Sequence, residues 1–563
     1  MRISRLRIRN FRSIQELDIP VQQICALVGP NNAGKSNVLE AIRRVLEGSW
    51  LRASDFGTDD IFLHDDQRDI EIVCAFDPPL EYVRFKNVDP VAIHSVSFKY
   101  TKYKVGPNKG GPRLEQQCMD AKGETLSVLA RAPKKGEQHR YEPLVGVPSE
   151  VRERIPLIYI GTNRMLRDQL PSARYSLLRR LFESVNANFH DPTQTVKVQL
   201  VDGTEREVPR LERFRTLMDR AMELLRTGEF KAVERSIKRN ALRNLGFDPD
   251  VDADKLDLYF TPMDTLDFYK SLDLIVKEGE FAISAKEMGG GMQNAIVLAI
   301  LQAFEETQRK GAILLIEEPE MFLHPQTQRS LYKTMREIGR TNQIIYATHS
   351  PHFVSIPEYS EVLLVRRGEA GTTVQLSDLP TNDRRREKFV KELDPERNEL
   401  FFARRLLIVE GDTEKLAFPM YSARMGIDLD REGATIVEVG GKKNLMEFAR
   451  IALSFGIPTG IVYDEDSSDF DAKQKEEEEA YNASLDALAK SDGSVRVWHF
   501  SPRYERHLRD ALGESNYQAL CQKFPSVGKP TQARLIALEG ETPIPKPVDE
   551  VLTWLAGRNG KSA

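Results

Sequence analysis

Apolar and polar positions change period several times along this chain, and each change predicts an element. Residues 1–20 alternate, with Leu6, Ile8 and Phe11 and then Ile14, Leu17 and Ile19 on one face, which predicts a strand pair. Ile24–Val28 is a continuous apolar run, and Val38, Leu39, Ile42, Val45 and Leu46 come next at helical spacing. From about Asp69 to Ala132, alternating runs (Ile70–Phe76, Ala92–Tyr100) divided by Pro78-Pro79 and Gly110-Gly-Pro112 predict antiparallel strands. Pro156–Gly161 reads as a return to a buried central strand. Residues 164 to about 245 carry helical patterns, as in Leu211–Leu225. Strand-like runs resume at Leu256–Phe260 and Ser271–Lys277, and a glycine turn at Met288 opens an apolar helix towards Phe304. Ala312–Ile316 and Gln343–Thr348 are buried-strand runs. Beyond a charged, turn-rich linker (about Leu379–Arg397), Arg404–Val409, Ala434–Val439 and Gly456–Tyr463 alternate with helical segments, the pattern of a second, parallel sheet.

Length turns this pattern into an architecture. At 563 residues the chain exceeds one ordinary core and predicts about three or four domains. We divide it at 1–163, 164–255, 256–385 and 398–563. Composition is that of a globular protein, 40% hydrophobic and 29% charged. No apolar run approaches the roughly 20 residues of a membrane helix. The N-terminus lacks a signal peptide's apolar centre. The scattered Cys25, Cys74, Cys118 and Cys521 form no C-x-x-C pair, which fits a reducing cytoplasm and offers no zinc site. A net charge of −5 does not advertise a nucleic-acid binder and does not exclude a local basic patch. Arg179-Arg180, Lys231, Arg235 and Lys238-Arg239 could form such a patch, although charge runs are more often solvated faces.

Chemistry sits where apolar runs end. After Val28 comes Gly29-Pro-Asn-Asn-Ala-Gly-Lys-Ser36, a gapless G-x-x-x-x-G-K-[ST] between strand and helix. Gly29 and Gly34 let backbone N–H groups turn towards phosphates, flanked by Asn32 and Asn37. Lys35 neutralises the outer phosphates and Ser36 holds Mg²⁺. Ala312–Ile316 delivers Glu317 and Glu318, a pair costly to bury without a cation. Gln343–Thr348 ends on His349, one strand beyond.

Together these residues resemble the ABC-type ATPase heads of the SMC and RecF-like class over roughly residues 1–380. The resemblance makes Gly29–Ser36 the Walker A loop, Met288–Gln293 the signature loop with Gly289, Gly291 and Gln293 at the nucleotide, and Ile313–Glu318 the Walker B strand. It assigns Glu317 to Mg²⁺, Glu318 to the attacking water and His349 to γ-phosphate sensing. It also implies a homodimer in which each signature loop faces the other head's Walker A loop; we expect a dimer or higher oligomer, with the helical insertion at 164–255 packing on itself or pairing with a second copy. Two departures, Gly290 in place of the signature serine and Glu317 in place of the Walker B Asp, weaken any assumption of rapid ATP hydrolysis. No Q-loop is evident, and Gln67 is a poor candidate.

The last third carries a second constellation. Glu410 ends one strand, Glu414 comes soon after on a helix, and Asp464 and Asp466 end a strand two further along. In a parallel sheet these strand ends converge, and oxygen-only ligands suit Mg²⁺ or Mn²⁺. Asp412 reads as a helix N-cap, and the acidic run beyond Asp466, including Lys475–Glu479, as a solvated loop and helix.

This half resembles a Toprim domain. Val409-Glu-Gly-x-Thr-Glu414 and Val439-Gly-Gly-Lys442, behind an ABC head with Ile316-Glu-Glu-Pro-Glu320, are similar to the OLD (overcoming lysogenization defect) nuclease family, one branch of which is the nuclease subunit of the Gabija antiphage system. The fold this implies is α/β: an ABC/SMC–RecF-like P-loop ATPase with a helical insertion, then a Rossmann-like parallel Toprim sheet. The resemblance adds Glu505 and Lys529 to the site. It implies a two-metal DNA endonuclease or nickase in which Glu410, Asp464 and Asp466 bind one ion, Glu414 and Glu505 help the other, and Lys529 offsets transition-state charge or protonates the leaving group. It further implies ATP regulation, antiphage defence, and a helicase-like or reverse-transcriptase partner. The competing readings are an ATP-dependent DNA-repair clamp or motor with a non-cleaving Toprim, and a Toprim primase or topoisomerase.

Overall fold

The computed structural model describes residues 1–47, 51–86, 88–132, 139–155, 157–162, 176–199, 204–256, 264–278, 281–290, 292–293, 296–297, 299–300, 303, 311–380, 395–465, 472–524, 527–540 and 542–558. Two compact units emerge: Met1–Thr162 with Lys310–Ala563, and Asn163–Arg309.

The N-terminal alternation forms the strands Arg2–Phe11 and Ile14–Pro20, with Leu6, Ile8, Phe11, Ile14, Leu17 and Ile19 buried. These strands belong to a five-stranded antiparallel sheet continued by Ile70–Tyr82, Val91–Lys102 and Pro112–Met119. The apolar run Ile24–Val28 lies inside a second, six-stranded sheet, where burial on both faces explains its lack of alternation. Across that sheet the order is Gly371–Gln375, Val362–Gly368, Ile24–Val28, Gln343–Thr348, Ile313–Glu317 and Leu157–Ile160. All neighbouring pairs are parallel except the first. Leu157–Ile160 is buried but stands at the sheet's edge rather than its centre.

The helix Lys35–Leu46 packs against strands of both sheets and buries Val38, Leu39, Ile42, Val45 and Leu46 in one shared core. Gln343 ties the sheets by polar contacts as well. Its side chain accepts from the Ile3 amide (2.8 Å) and donates to the carbonyls of Ile3 (2.7 Å) and Gln22 (2.8 Å). The P-loop is therefore held from two directions by buried apolar area and satisfied polar groups.

A second parallel sheet of the same unit runs Ala434–Glu438, Arg405–Val409, Thr459–Asp464 and Val495–Phe500. Its core joins Leu407, Val409 and Val462 to Phe418 and Tyr421 of helix Asp412–Arg424 and to Ile536 and Leu552 further on. Because Arg405–Val409 pairs directly with Thr459–Asp464, Glu410 and Asp464 leave adjacent strands at the same sheet edge.

The unit 163–309 has helices at Leu177–Phe189, Arg210–Leu225 and Gly228–Asn244, and hairpins at Thr195–Gln199/Glu205–Pro209 and Ile275–Glu278/Phe281–Ser284. The first hairpin interrupts the run read as helical. Of the strand read at Leu256–Phe260, residues 257–260 lie outside the described residues. The second expected strand begins at Ile275, not Ser271. Among the described residues no helix is long and apolar enough to cross a membrane.

Candidate functional site

Two polar constellations form where parallel strands end. The first surrounds the P-loop. Gly29 has φ +153°, and a Cβ there would lie 2.1 Å from the Val365 carbonyl oxygen, so only glycine fits. Gly34, at φ +107°, opens the helix in the left-handed region, and a Cβ there would meet the Thr372 hydroxyl at 2.3 Å. Asn32 also has positive φ and is exposed on the loop. Lys35 is buried, and its Nζ donates to the carbonyls of Gly29 (2.8 Å) and Pro30 (2.9 Å). Burial lowers its pKa to about 8, against the opposing pull of Glu318 and Glu320.

Asn37 braces the loop from behind. Its amide donates to the Ser13 hydroxyl (2.7 Å), which meets Thr372 (2.7 Å), which donates to the Ala33 carbonyl (2.8 Å). Glu317 is buried at the end of its strand. Burial raises its carboxyl above the usual range, and hydrogen bonds from Ser36 and Tyr159 pull it back. Glu318 sits at φ +44°, a conformation rare outside glycine, with its N–H donating to the Ala347 carbonyl (2.7 Å). His349 Nε2 lies 3.9 Å from Glu318 Oε1, and burial and then Lys35 lower its pKa. Lys35, at the start of its helix, thus lies close to Glu318, and Glu317, Glu318 and His349 stand at the ends of neighbouring strands.

Two contributors carry no role in the sequence reading. Tyr159 supports Glu317 while Arg43 stacks on its ring at 5.1 Å. Glu320 accepts from the His349 N–H at 2.5 Å. Tyr159 has no motif signal. Glu320 does have one, its place beside the Walker B pair. Gln67 is exposed and bonds Asp66.

The signature segment lies in the unit 163–309. Gly289 is exposed, Gly290 begins helical residues, and Gln293 closes the turn by donating to the carbonyls of Lys286 (2.9 Å) and Met288 (2.7 Å). Gly291 lies outside the described residues.

The second constellation is acidic. Glu414, in the first turn of helix Asp412–Arg424, is buried. Its pKa rises to about 8, through burial first and then the negative charge of Asp464, Glu410 and Glu505. Three carboxylates, from two strand ends and a second helix, therefore act on Glu414. Asp464 accepts from the Tyr504 N–H (3.0 Å), which pins it to the helix Tyr504–Leu512 that bears Glu505. Glu505 and Lys529 line one cavity of about 340 Å³ together with Thr413, Arg503, Arg506 and Arg509. Lys529 opens the helix Lys529–Leu538. Gly411, not Asp412, is the N-cap of the Glu414 helix; Asp412 belongs to its first turn, where its charge suits the helix dipole.

Asp466 lies outside the described residues. Among those described, no three His, Cys, Asp or Glu side chains stand close enough to hold a metal ion as they are. The donor chemistry nevertheless fits a hard cation: the set is all oxygen, and burying Glu414 amid three other carboxylates is the arrangement a divalent ion compensates.

Two family models match this chain. The family model described as AAA ATPase domain matches residues 1–129 and 180–354. The family model described as overcoming lysogenization defect protein-like, TOPRIM domain, matches residues 401–466. The chain is 29% identical to an OLD nuclease of Thermus scotoductus over 97% of this chain and 100% of that protein. It is 22% identical to the Old nuclease of Escherichia phage P2, over 82% and 77% respectively. With the endonuclease GajA of Bacillus cereus it shares 23% identity, over 78% and 71%.

Proposed function

The chain belongs to the OLD family of ATPase–Toprim proteins, and from that premise we propose that it is an ATP-regulated, divalent-cation-dependent DNA endonuclease or nickase. The observation that carries this reading is the buried Glu414 facing the charges of Asp464, Glu410 and Glu505, with Glu505 lining the same basic-rimmed cavity as Lys529. The named nuclease relatives support the activity, and the AAA and Toprim matches support the pairing of a nucleotide site with a cation site.

Glu410, Asp464 and Asp466 are the residues that would hold one Mg²⁺ or Mn²⁺, with Glu414 and Glu505 helping a second. When bound, such ions supply a nucleophilic water and charge stabilisation at the scissile phosphate. The Tyr504 N–H fixes the Asp464 carboxylate, and the parallel sheet fixes the spacing of Glu410 and Asp464. Lys529, with the neighbouring arginines, attracts and orients the phosphodiester backbone and offsets negative charge at the leaving oxygen. At the head, Lys35 and Ser36 receive the ATP phosphates and their Mg²⁺, Glu318 orients water, and His349 reads the γ-phosphate. In a homodimer the segment Gly289–Gln293 completes the partner's nucleotide site. Control of cleavage by nucleotide, and a role in antiphage defence with a helicase-like or reverse-transcriptase partner, accord with the family.

The test is plasmid nicking by the purified full-length protein with Mg²⁺ or Mn²⁺, with and without ATP. Wild type converts supercoiled plasmid and Asp464→Ala does not. Equal cutting by the two proteins, or no cutting by wild type, rejects the nuclease reading.

A further inference from the structure

The acidic run after Asp466 reads as a solvated face, yet one of its members is largely buried. Glu478, on the helix Ala472–Ser491, keeps only 18% of its side-chain exposure and lies 3.2 Å from Lys442 Nζ. Lys442 is itself 7% exposed. Its ammonium donates to the main-chain carbonyls of Asp464 (2.6 Å) and Glu465 (3.4 Å) and sits 5.1 Å from the centre of the Tyr463 ring. A second tie runs the other way: the Tyr481 hydroxyl donates to the Lys442 carbonyl (2.9 Å) and accepts from the Met446 N–H (3.2 Å).

The turn that presents Lys442 also reaches the neighbouring strand. Gly440 and Gly441 adopt φ of +72° and +119°, and the Gly441 N–H donates to the Glu410 carbonyl (3.0 Å). Val439 N–H donates to the Val409 carbonyl (3.2 Å). One Gly-Gly-Lys turn therefore grips the main-chain carbonyls of both adjacent strand ends, Glu410 through the Gly441 N–H and Asp464 through the Lys442 side chain.

We propose that Lys442 and Glu478 are a positioning pair that holds the Asp464 strand end in its cation-binding geometry from behind. Lys442 supplies charge-assisted donors that fix the Asp464 and Glu465 carbonyls. A buried ammonium beside a cation site opposes the incoming ion, so its charge must be cancelled locally. Glu478 does this, which is why an acidic residue within the mostly exposed stretch Lys473–Ala480 turns inward. The helix Ala472–Ser491 is thereby part of the cation site's support rather than a solvated appendage.

The proposal rests on the reading of the Glu410–Asp464 cluster as a divalent-cation site, and the experiment separates the two. Mn²⁺ binding to the full-length protein is followed by electron paramagnetic resonance, alongside the Mn²⁺ concentration that gives half-maximal nicking. Asp464→Ala reports on the site itself: unchanged Mn²⁺ binding overturns the reading and the proposal together. With that binding lost, Lys442→Met is expected to weaken Mn²⁺ binding roughly tenfold or more, the scale of outer partners of metal ligands. Lys442→Arg restores part of the loss. Glu478→Gln also weakens Mn²⁺, because the ammonium is left uncompensated, and the double variant Lys442→Met/Glu478→Gln loses less than the two single effects combined. Wild-type Mn²⁺ affinity in both single variants, or strictly additive losses, overturns the pair. Should Lys442→Met fail to fold by circular dichroism, the milder Glu478→Gln decides: unchanged Mn²⁺ affinity rejects the proposal and weakened affinity sustains it.

Discussion

Lys35 and Glu414 are mirror images. Each is buried near the end of a parallel strand, each is shifted to a pKa of about 8, and the shifts run in opposite directions. Lys35 is pushed down by burial, with Glu318 and Glu320 too weak to restore it. Glu414 is pushed up by burial and by three further carboxylates. Burial penalises a charge until the opposite charge arrives. The P-loop thus awaits an anion, and the Toprim edge awaits a cation. One chain stores the same kind of electrostatic demand twice, with signs suited to nucleotide phosphate in one place and divalent metal in the other.

Substitutions at Asp464 and Lys35 separate the two demands most strongly. Asp464→Ala is expected to reduce plasmid nicking by about a thousandfold or more, since bound metal supplies several kcal/mol of transition-state stabilisation. The same variant keeps wild-type ATP affinity, measured by a fluorescent nucleotide analogue. Lys35→Ala is expected to weaken ATP by about a hundredfold through lost charged hydrogen bonds, and to keep Mn²⁺ binding. Glu318→Gln retains ATP and fails to hydrolyse it, which filter binding and phosphate release together record. If either Asp464→Ala or Lys35→Ala abolishes both ligands, the two demands are not independent.

The sign of the Glu414 shift gives the next test. Its folded pKa of about 8 exceeds the ordinary 4.5, so the metal-free native state binds more protons than the unfolded chain between those values. Stability from this group is complete below about pH 4.5 and is lost as pH rises towards 8, by up to about 1.4 kcal/mol per pH unit. Saturating Mn²⁺ favours the ionised carboxylate and flattens that slope. Glu414→Gln removes it without metal. Thermal melts from pH 5 to 8, with and without Mn²⁺, check this; a metal-free melting temperature that stays level or rises from about pH 6 to 8 contradicts it.

Much of both sites was legible because their chemistry sits at abrupt endings of apolar runs. Ile24–Val28, Ile313–Glu317, Gln343–Thr348 and Thr459–Asp464 are recognisable from composition, and the charged or polar residues at their C-terminal ends mark the sites. The illegible parts depend on tertiary neighbours. Leu157–Ile160 is as apolar as a central strand, but edge position is set by pairing, which composition does not encode. The Lys475–Glu479 stretch looks uniformly solvated, and only helix orientation turns Glu478 towards Lys442. Tyr159 reaches Glu317 from the neighbouring strand with no local pattern to announce it. The hairpin Thr195–Gln199/Glu205–Pro209 is short and largely exposed, so its alternation hides between helices.

A string of contacts runs from the segment beyond His349 to the turn beside Glu410. Asn398 is buried where the ATPase sheet's chain meets the Toprim sheet's, against the segment just beyond His349. Its amide donates to the carbonyls of Pro351 (3.0 Å) and Val354 (2.8 Å) and accepts from the Ile356 N–H (3.3 Å). The preceding residue, Arg397, pairs with Glu438 (3.1 Å), whose carboxylate accepts from the Gly440 N–H in the turn that grips Glu410. A string of contacts is a route only if its ends respond to each other, and reciprocity makes that measurable: if ATP changes Mn²⁺ affinity by some factor, Mn²⁺ must change ATP affinity by the same factor. Asn398→Ala leaves buried carbonyls unsatisfied, at a stability cost of about 1–3 kcal/mol. It is expected to shrink both factors together, by about threefold to tenfold, while each ligand alone binds as in wild type. Equal factors in wild type and variant would mean that nucleotide and metal communicate by another route.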